Sequence, residues 1–132
     1  MKYLIDTDWV IDHFAGVEKI TKKLEELAPQ GIGLSVISLA ELYEGIYFSN
    51  DPYENEKVLE RFLEIVSILW INKEICKIFG RERGRLRRKG ILISDFDLLI
   101  ASTCLYYDLT LLTNNVRHFK RVENLKVLTS GE

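Results

Sequence analysis

The segment Tyr3–Asp12, with the sequence YLIDTDWVID, decides the fold. Its first three residues are apolar, Asp6 follows them directly, and the residues from Trp9 to Phe14 show a helical pattern of apolar side chains. A short apolar strand that leads into a helix is typical of a parallel α/β sheet. Because the ligands of such sheets bind beyond the carboxyl ends of the strands, Asp6 is a candidate functional residue.

The same alternation of short apolar segments and longer helical segments continues along the chain, which predicts an α/β fold with a parallel sheet. Pro29 and Gly31 end one helix, and Asp51 followed by Pro52 is a typical helix start. The predicted strands are Tyr3–Ile5, Gly33–Val36, Ser67–Ile71, Thr110–Thr113 and Lys126–Leu128. The predicted helices are Trp9–Phe14, Val17–Leu27, Leu39–Phe48, Tyr53–Ile65, Lys73–Arg88 and Asp95–Tyr106.

The composition indicates one globular domain over residues 1–132. The chain is 47% hydrophobic and 29% charged, it is long enough to bury a core, and no linker or repeat interrupts it. Cys76 and Cys104 are too few for a disulfide framework, and both lie in apolar helical patterns, where buried thiols are usual. We expect a cytoplasmic protein with no signal peptide and no membrane span, because no apolar run is long enough.

The charge distribution leaves nucleic-acid binding open. The 18 Lys and Arg against 20 Asp and Glu give a net charge of −2, which argues against binding to a phosphate backbone. However, the segment Arg81–Lys89, the basic strip, holds six cations and one anion, Glu82. Either a solvated helix C-terminus or contact with an RNA backbone explains such a strip. Its cations are Arg81, Arg83, Arg85, Arg87, Arg88 and Lys89.

Polar residues follow other apolar segments much as Asp6 follows the first. Glu41 lies one helical turn past the second predicted strand, Asp97 opens the helix after the apolar segment Ile91–Ile93, and Asn115 follows Leu111–Thr113. Four segments thus place an acid or an amide where one rim of a sheet can gather them. The candidate site residues are Asp6, Glu41, Asp97 and Asn115.

Helix capping is an alternative role for each acid. Ser38 and Glu41 fit the S-x-x-E capping box, in which the glutamate only reaches back to its own helix N-terminus. Ser94 and Asp97 nearly repeat this pattern, and Asp6 can be a plain N-cap. Caps are more frequent than catalytic acids, so the pattern at each single position leaves both roles open.

Helical geometry favours a functional role for Asp97. Ile100, Ala101 and Cys104 follow it at helical spacing, so the acid heads an apolar stripe, and no Lys or Arg lies between Gly90 and Val116. A charge in such a place is costly without a cation. Converging carboxylates also repel one another, and a hard cation such as Mg²⁺ or Mn²⁺ relieves this repulsion. Such an ion supports phosphodiester hydrolysis.

Four segments with this spacing resemble the PIN domain family, specifically the VapC-type toxins of VapBC toxin–antitoxin modules. They are YLIDTDWVID (Tyr3–Asp12), SVISLAELYEGI (Ser35–Ile46), ISDFDLLIAST (Ile93–Thr103) and LTLLTNNVRHF (Leu109–Phe119). The resemblance implies a Rossmann-like three-layer α/β/α sandwich with a central parallel sheet. It also implies a Mg²⁺- or Mn²⁺-dependent endoribonuclease that acts on RNA, forms a homodimer and is restrained by a cognate antitoxin.

The resemblance also assigns the site residues. The family's first three acids fall on Asp6, Glu41 and Asp97, and the fourth, which is usually acidic, falls on Asn115. An amide oxygen still binds a hard cation or orients a bound water, so Asn115 stays in the predicted metal and catalytic set. Ser38 and Thr113 match the family's small hydroxyl positions, where they support the metal ligands.

Two other functions stay open at this point. A haloacid-dehalogenase-type phosphatase would use Asp6 and Asp8 of a D-x-D-x-V pattern, although Glu41 then has no role. A non-catalytic metal- or RNA-binding module is the second alternative. His13 and His118 have no serine or cysteine partner for a triad and are assigned structural or surface roles. Apolar residues that belong either to the core or to a dimer or antitoxin surface are Tyr43, Ile46, Tyr47 and Phe48.

Overall fold

The structure is a computed structural model that describes residues 1–131. The strands are β1 (Tyr3–Ile5), β2 (Ile32–Ser35), β3 (Ser67–Leu69), β4 (Thr110–Leu112) and β5 (Lys126–Leu128). The helices are α1 (Thr7–Phe14), α2 (Glu18–Leu27), α3 (Val36–Tyr47), α4 (Pro52–Leu63), α5 (Lys73–Arg88), α6 (Asp95–Tyr106) and α7 (Val116–Phe119). A single 3₁₀ turn, Ala28–Gln30, links α2 to β2.

The five strands form one sheet in the order β3-β2-β1-β4-β5, and every neighbouring pair is parallel. The α/β fold with a parallel sheet is therefore confirmed. From β1 the chain builds outward to β2 and β3, and it then returns to place β4 on the other side of β1. The order of the strands thus reverses between β1 and β4, and the crevice at such a point is where open α/β sheets bind ligands.

Alternate residues of the strands enter two separate apolar cores, one on each face of the sheet. Tyr3 and Ile5 pack with apolar residues of α1 to α4, whereas Leu4 packs with those of α5, α6 and α7. Because side chains of a strand alternate between faces, this division requires helices on both sides. The three-layer α/β/α sandwich is confirmed.

Most helix ends follow the local signals in the sequence. Asp51 caps α4 by accepting a hydrogen bond from the Glu54 backbone N, and Pro52 is the first helical residue. After α2 and the 3₁₀ turn, Gly31 adopts a φ of 88°, a conformation that side-chain-bearing residues rarely adopt. The described residues contain no helix that is long and apolar enough to cross a membrane.

The two cysteines differ in environment. Cys104 is buried, as the sequence predicts, but Cys76 is exposed. The expectation for Cys76 was wrong because the buried face of α5 is formed by Ile75, Glu82 and Leu86, and Cys76 lies one residue beyond that stripe.

Candidate active site

Asp6 lies directly after β1 and is only 5% exposed. It caps α1, since its Oδ1 accepts a hydrogen bond of 2.8 Å from the Thr7 backbone N. Its Oδ2 accepts a second hydrogen bond, of 2.7 Å, from the buried Thr113 Oγ1 at the end of β4. Asp6 is therefore a helix cap and also joins the two strands between which the sheet order reverses.

Glu41 does not form a capping box. The N-cap of α3 is Ser35, whose Oγ accepts a hydrogen bond from the Ile37 backbone N, so Ser38 and Glu41 lie inside the helix. Glu41 Oε1 instead accepts a hydrogen bond of 2.8 Å from Thr7 Oγ1, across from α1. Ser38, one turn earlier on the same side of α3, is fully buried, and its Oγ has no hydrogen-bond partner among residues 1–131.

Asp97 lies in the first turn of α6 and is partly accessible, with a side chain that is 22% exposed. Its backbone N donates a hydrogen bond to the N-cap Ser94, so the cap is real, but it uses the backbone of Asp97 and leaves the carboxylate for other contacts. The stripe of Ile100, Ala101 and Cys104 is fully buried, as the sequence predicts. Asp97 thus stands where the core meets solvent.

Asp97 lies close enough to both Asp6 and Glu41 for its charge to act on them. Burial raises the pKa of Asp6 to about 7, with the negative charges of Asp8 and Asp97 adding to the effect. Burial also raises the pKa of Glu41, and the charge of Asp97 again contributes. The structure therefore brings Asp97 near both Asp6 and Glu41, and its charge disfavours the ionised forms of those two groups.

Asn115 connects to this rim through two neighbours. Its backbone N donates a hydrogen bond of 3.0 Å to Thr113 Oγ1, the same hydroxyl that holds Asp6. Its side-chain Nδ2 lies 3.1 Å from His118 Nδ1, and this ring nitrogen lies 3.7 Å from Asp97 Oδ2. Asn115 thus joins the β4 end of the site to the α6 end.

His118 was missed as a site residue by sequence reasoning. Its ring lines a shallow hollow with Ser94 and Asp97 and is about half exposed. The four-residue helix α7 is too short to show periodicity, so no pattern revealed that Asn115 and His118 share one turn. The sequence does contain one signal for His118, which is the N-x-x-H spacing just after a predicted strand. His13, by contrast, has the predicted structural role, with its Nδ1 2.8 Å from Thr21 Oγ1.

Asp8 lies beside the site and contacts the loop after β4. Its Oδ2 accepts a hydrogen bond of 3.0 Å from the Asn114 backbone N, and both of its carboxylate oxygens lie 3.4 Å from Thr113 Oγ1. Burial raises the pKa of Asp8 as well. Its contacts fix the loop after β4 against α1.

Comparison with known proteins identifies the family. The PIN domain model matches residues 3–125. The chain belongs to the PIN-domain family. Ribonuclease VapC1 of Methanocaldococcus jannaschii is 35% identical over 92% of this PIN domain and 82% of its own length, and Ribonuclease VapC2 of Rickettsia felis is 35% identical over 95% of each chain. The solved structure of VapBC2 from Rickettsia felis, bound to a DNA fragment from their promoter, matches with a TM-score of 0.92 and 33% identity over 98% of both chains.

The residues of this PIN domain fit a divalent cation by their chemistry. All the candidate donors are oxygens, three of them carboxylates, which is the ligand set of hard cations. In the part of the chain that the structure describes, no three acidic, His or Cys side chains lie close enough together to form a complete metal site by themselves. Thr7 donates to the Glu41 carboxylate and Thr113 donates to the Asp6 carboxylate, so both side chains are held in place.

The alternative functions gain no support. The comparisons identify PIN and VapC relatives, and none points to a haloacid-dehalogenase-type phosphatase. In the structure, Asp8 is engaged by the Asn114 backbone, whereas that alternative needs Asp8 as an acid and base. Glu41, which has no role in such a phosphatase, stands at the site.

The basic strip divides into two parts. Arg83 forms an ion pair with Asp95 and donates to the Ile93 carbonyl, and Arg85 binds Glu82 through two nitrogens. Arg83 thus links α5 to the start of α6, and Arg85 links α5 to the segment after α7 through the Arg121 carbonyl and Glu123. An RNA contact by Arg83 is therefore not what the structure favours. The exposed cations of the strip are Arg81, Arg87, Arg88 and Lys89.

The four apolar residues that were assigned to either the core or a partner surface differ in exposure. Ile46 is buried in the core, and Tyr43 is partly buried with its hydroxyl donating to Glu60. Tyr47 and Phe48 are 57% and 89% exposed. Near them, an apolar groove of about 410 Å³ lies among α1, α3 and α4 and reaches Glu41.

Proposed function

We propose that this PIN domain is a metal-dependent endoribonuclease and the toxin of a VapBC-type toxin–antitoxin module. The observation that carries the proposal is that the charge of the half-buried Asp97 acts on both the buried Asp6 and the half-buried Glu41, beside the point where the strand order reverses. Support comes from relatives named as VapC ribonucleases, which align over nearly the whole chain.

The metal ligands in this proposal are Asp6, Glu41, Asp97 and the amide oxygen of Asn115. When bound, Mg²⁺ or Mn²⁺ activates water and stabilises charge that develops on the scissile phosphate. The protein residues orient this set: Thr113 holds Asp6, and Thr7 holds Glu41. Thr7 reaches both acids, because its backbone N donates to Asp6 and its hydroxyl donates to Glu41.

RNA and a cognate antitoxin are the proposed partners, with a homodimer as the assembly and the cytoplasm as the location. The exposed Arg87 and Arg88 at the end of α5 supply charge for the RNA backbone. Tyr47 and Phe48 present a large apolar surface beside the groove at Glu41, which suits a protein partner. The close structural similarity to VapBC2 from Rickettsia felis supports the antitoxin assignment.

The test is cleavage of a labelled RNA by the purified chain with Mn²⁺, with Mg²⁺ and with chelator. We expect cleavage that requires the metal and that is lost in Glu41→Gln, because the variant loses one charged ligand. Glu44→Gln, an exposed glutamate on the same helix, is the matched control and should cleave like the wild type. Cleavage in chelator, or equal cleavage by the two variants, contradicts the proposal.

A further inference from the structure

We propose that His118 is a positioning residue that holds the Asn115 amide with its nitrogen turned toward the imidazole, which leaves Oδ1 available as a ligand for the divalent cation. The inference rests on the proposed function, and it explains how the site works with an amide at the fourth position. It assigns a role to a histidine that sequence reasoning placed outside the site.

The Asn115 side chain contacts His118 through its amide nitrogen. Asn115 Nδ2 lies 3.1 Å from His118 Nδ1, a distance suited to a hydrogen bond in which the amide donates and the ring nitrogen accepts. Asp97 Oδ2 lies 3.7 Å from the same ring nitrogen, which is too long for a direct hydrogen bond. In the proposed arrangement His118 Nδ1 accepts from Asn115 Nδ2, which requires the tautomer with the ring proton on Nε2.

The orientation matters because the two ends of an amide have opposite chemistry. The oxygen binds a hard cation, whereas the NH₂ group is a donor that repels one. With Nδ2 committed to His118, Oδ1 is the free end, and the described residues give it no hydrogen bond. A carboxylate at this position has two equivalent oxygens and needs no such control. His118 thus compensates for the amide.

The Asn115 backbone restricts the side chain further. Its N donates to Thr113 Oγ1, and that hydroxyl donates to Asp6 Oδ2. Asn115 is consequently held at two points, its main chain by Thr113 and its side chain by His118. A ligand that is fixed before the cation arrives loses little freedom on binding, so removal of the histidine should weaken the metal site.

The experiment is a double-mutant cycle read by calorimetric titration of the full chain with Mn²⁺ in the absence of RNA. The four proteins are the wild type, His118→Leu, Asn115→Asp and the double variant. We expect His118→Leu to weaken Mn²⁺ binding about tenfold in the wild-type background and to have little effect when residue 115 is an aspartate. His118→Asn, which keeps an acceptor oxygen near the position of Nδ1, should restore most of the affinity.

A second readout needs no metal. The ring nitrogens of His118, observed by nitrogen NMR at pH 8, should show the tautomer with the proton on Nε2, and Asn115→Leu should shift both signals. Arg117→Gln, an exposed neighbour on the same short helix, is the control and should leave the tautomer and the Mn²⁺ affinity unchanged.

The outcomes separate this inference from the proposed function. An equal loss from His118→Leu in both backgrounds, no loss in either, or a proton on Nδ1 overturns the positioning role while the proposed nuclease stands. If the wild-type chain binds no Mn²⁺ at all, the proposed metal site fails and the inference fails with it.

Discussion

At Asp6 the carboxylate is almost inaccessible to solvent, and burial raises its pKa from the ordinary 3.8 to about 7. The folded protein therefore holds a proton on Asp6 at pH values where the unfolded chain has released it. Stability from this group is fully present below about pH 4 and is lost as the pH rises toward 7. Without metal, ionisation of Asp6 therefore lowers the free energy of unfolding.

The first prediction concerns this cost. In chelator, the free energy of unfolding of the wild type should fall by about 2 kcal/mol between pH 5 and pH 8, as far as Asp6 controls it. Asp6→Asn should flatten this dependence, because an amide does not ionise. Denaturant titration at several pH values measures both slopes. The control is Asp51→Asn, which keeps a good helix cap. Equal slopes for the Asp6 variant and the wild type would show that ionised Asp6 does not destabilise the fold.

The second prediction concerns Thr113, whose buried hydroxyl joins Asp6 to Asn115. Thr113→Val keeps the shape but removes the donor to Asp6 and the acceptor for the Asn115 backbone N. We expect a loss of about 1–3 kcal/mol of unfolding free energy. The pKa of Asp6 should rise further, because the Thr113 hydrogen bond lowers it.

Thr113→Ser keeps the hydroxyl and serves as the comparison for Thr113→Val. Thermal and denaturant unfolding measure the stability of both variants. If the two variants lose the same stability, cavity formation rather than the hydrogen bonds determines the effect.

At the scale of elements, sequence predicted five strands and six of seven helices, because apolar alternation and caps are local signals. It placed the start of α3 three residues late, since Ser38 fits a capping pattern but Ser35 is the residue that caps the helix. It also missed α7, because a four-residue helix with one buried apolar side chain, Phe119, shows no periodic pattern.

The sequence could not predict which charged side chains pair with one another. Six cations in one strip indicate a basic surface, but only the packing of α5 on α6 reveals that Arg83 binds Asp95 and Ile93. For the same reason, the contact between His118 and Asp97 depends on how α7 meets α6, which no local pattern records.

The third prediction tests the exposed end of α5. Reversing Arg87 and Arg88 to glutamate should weaken RNA binding across sequences and reduce the salt slope by about one unit for each lost phosphate contact. The same reversal at Lys19 and Lys22 on α2, in the opposite helical layer, is the matched control. Binding measured over a salt series decides the role, and identical slopes for both pairs would mark the basic strip as solvated surface.

At the scale of the whole molecule, the strand order explains why distant segments form one site. β1 and β4 are neighbours although more than a hundred residues separate them in sequence, and Asp6 N donates to the Leu112 carbonyl across this junction. The sequence predicted both strands and a parallel sheet, but it did not reveal which strands are neighbours, because strand order depends on long-range packing.

The most direct measurement of the central claim is the rate at which Asp97→Asn cleaves RNA in saturating Mn²⁺. Asp97 lies at the start of the buried stripe of α6, and its charge acts on both Asp6 and Glu41. Its amide variant should therefore keep the fold and lose about a hundredfold or more in cleavage rate. We predict that Asp97→Asn unfolds in chelator at the same temperature as the wild type and that it shows this loss of cleavage rate. A folded Asp97→Asn protein that cleaves RNA at the wild-type rate would contradict the account.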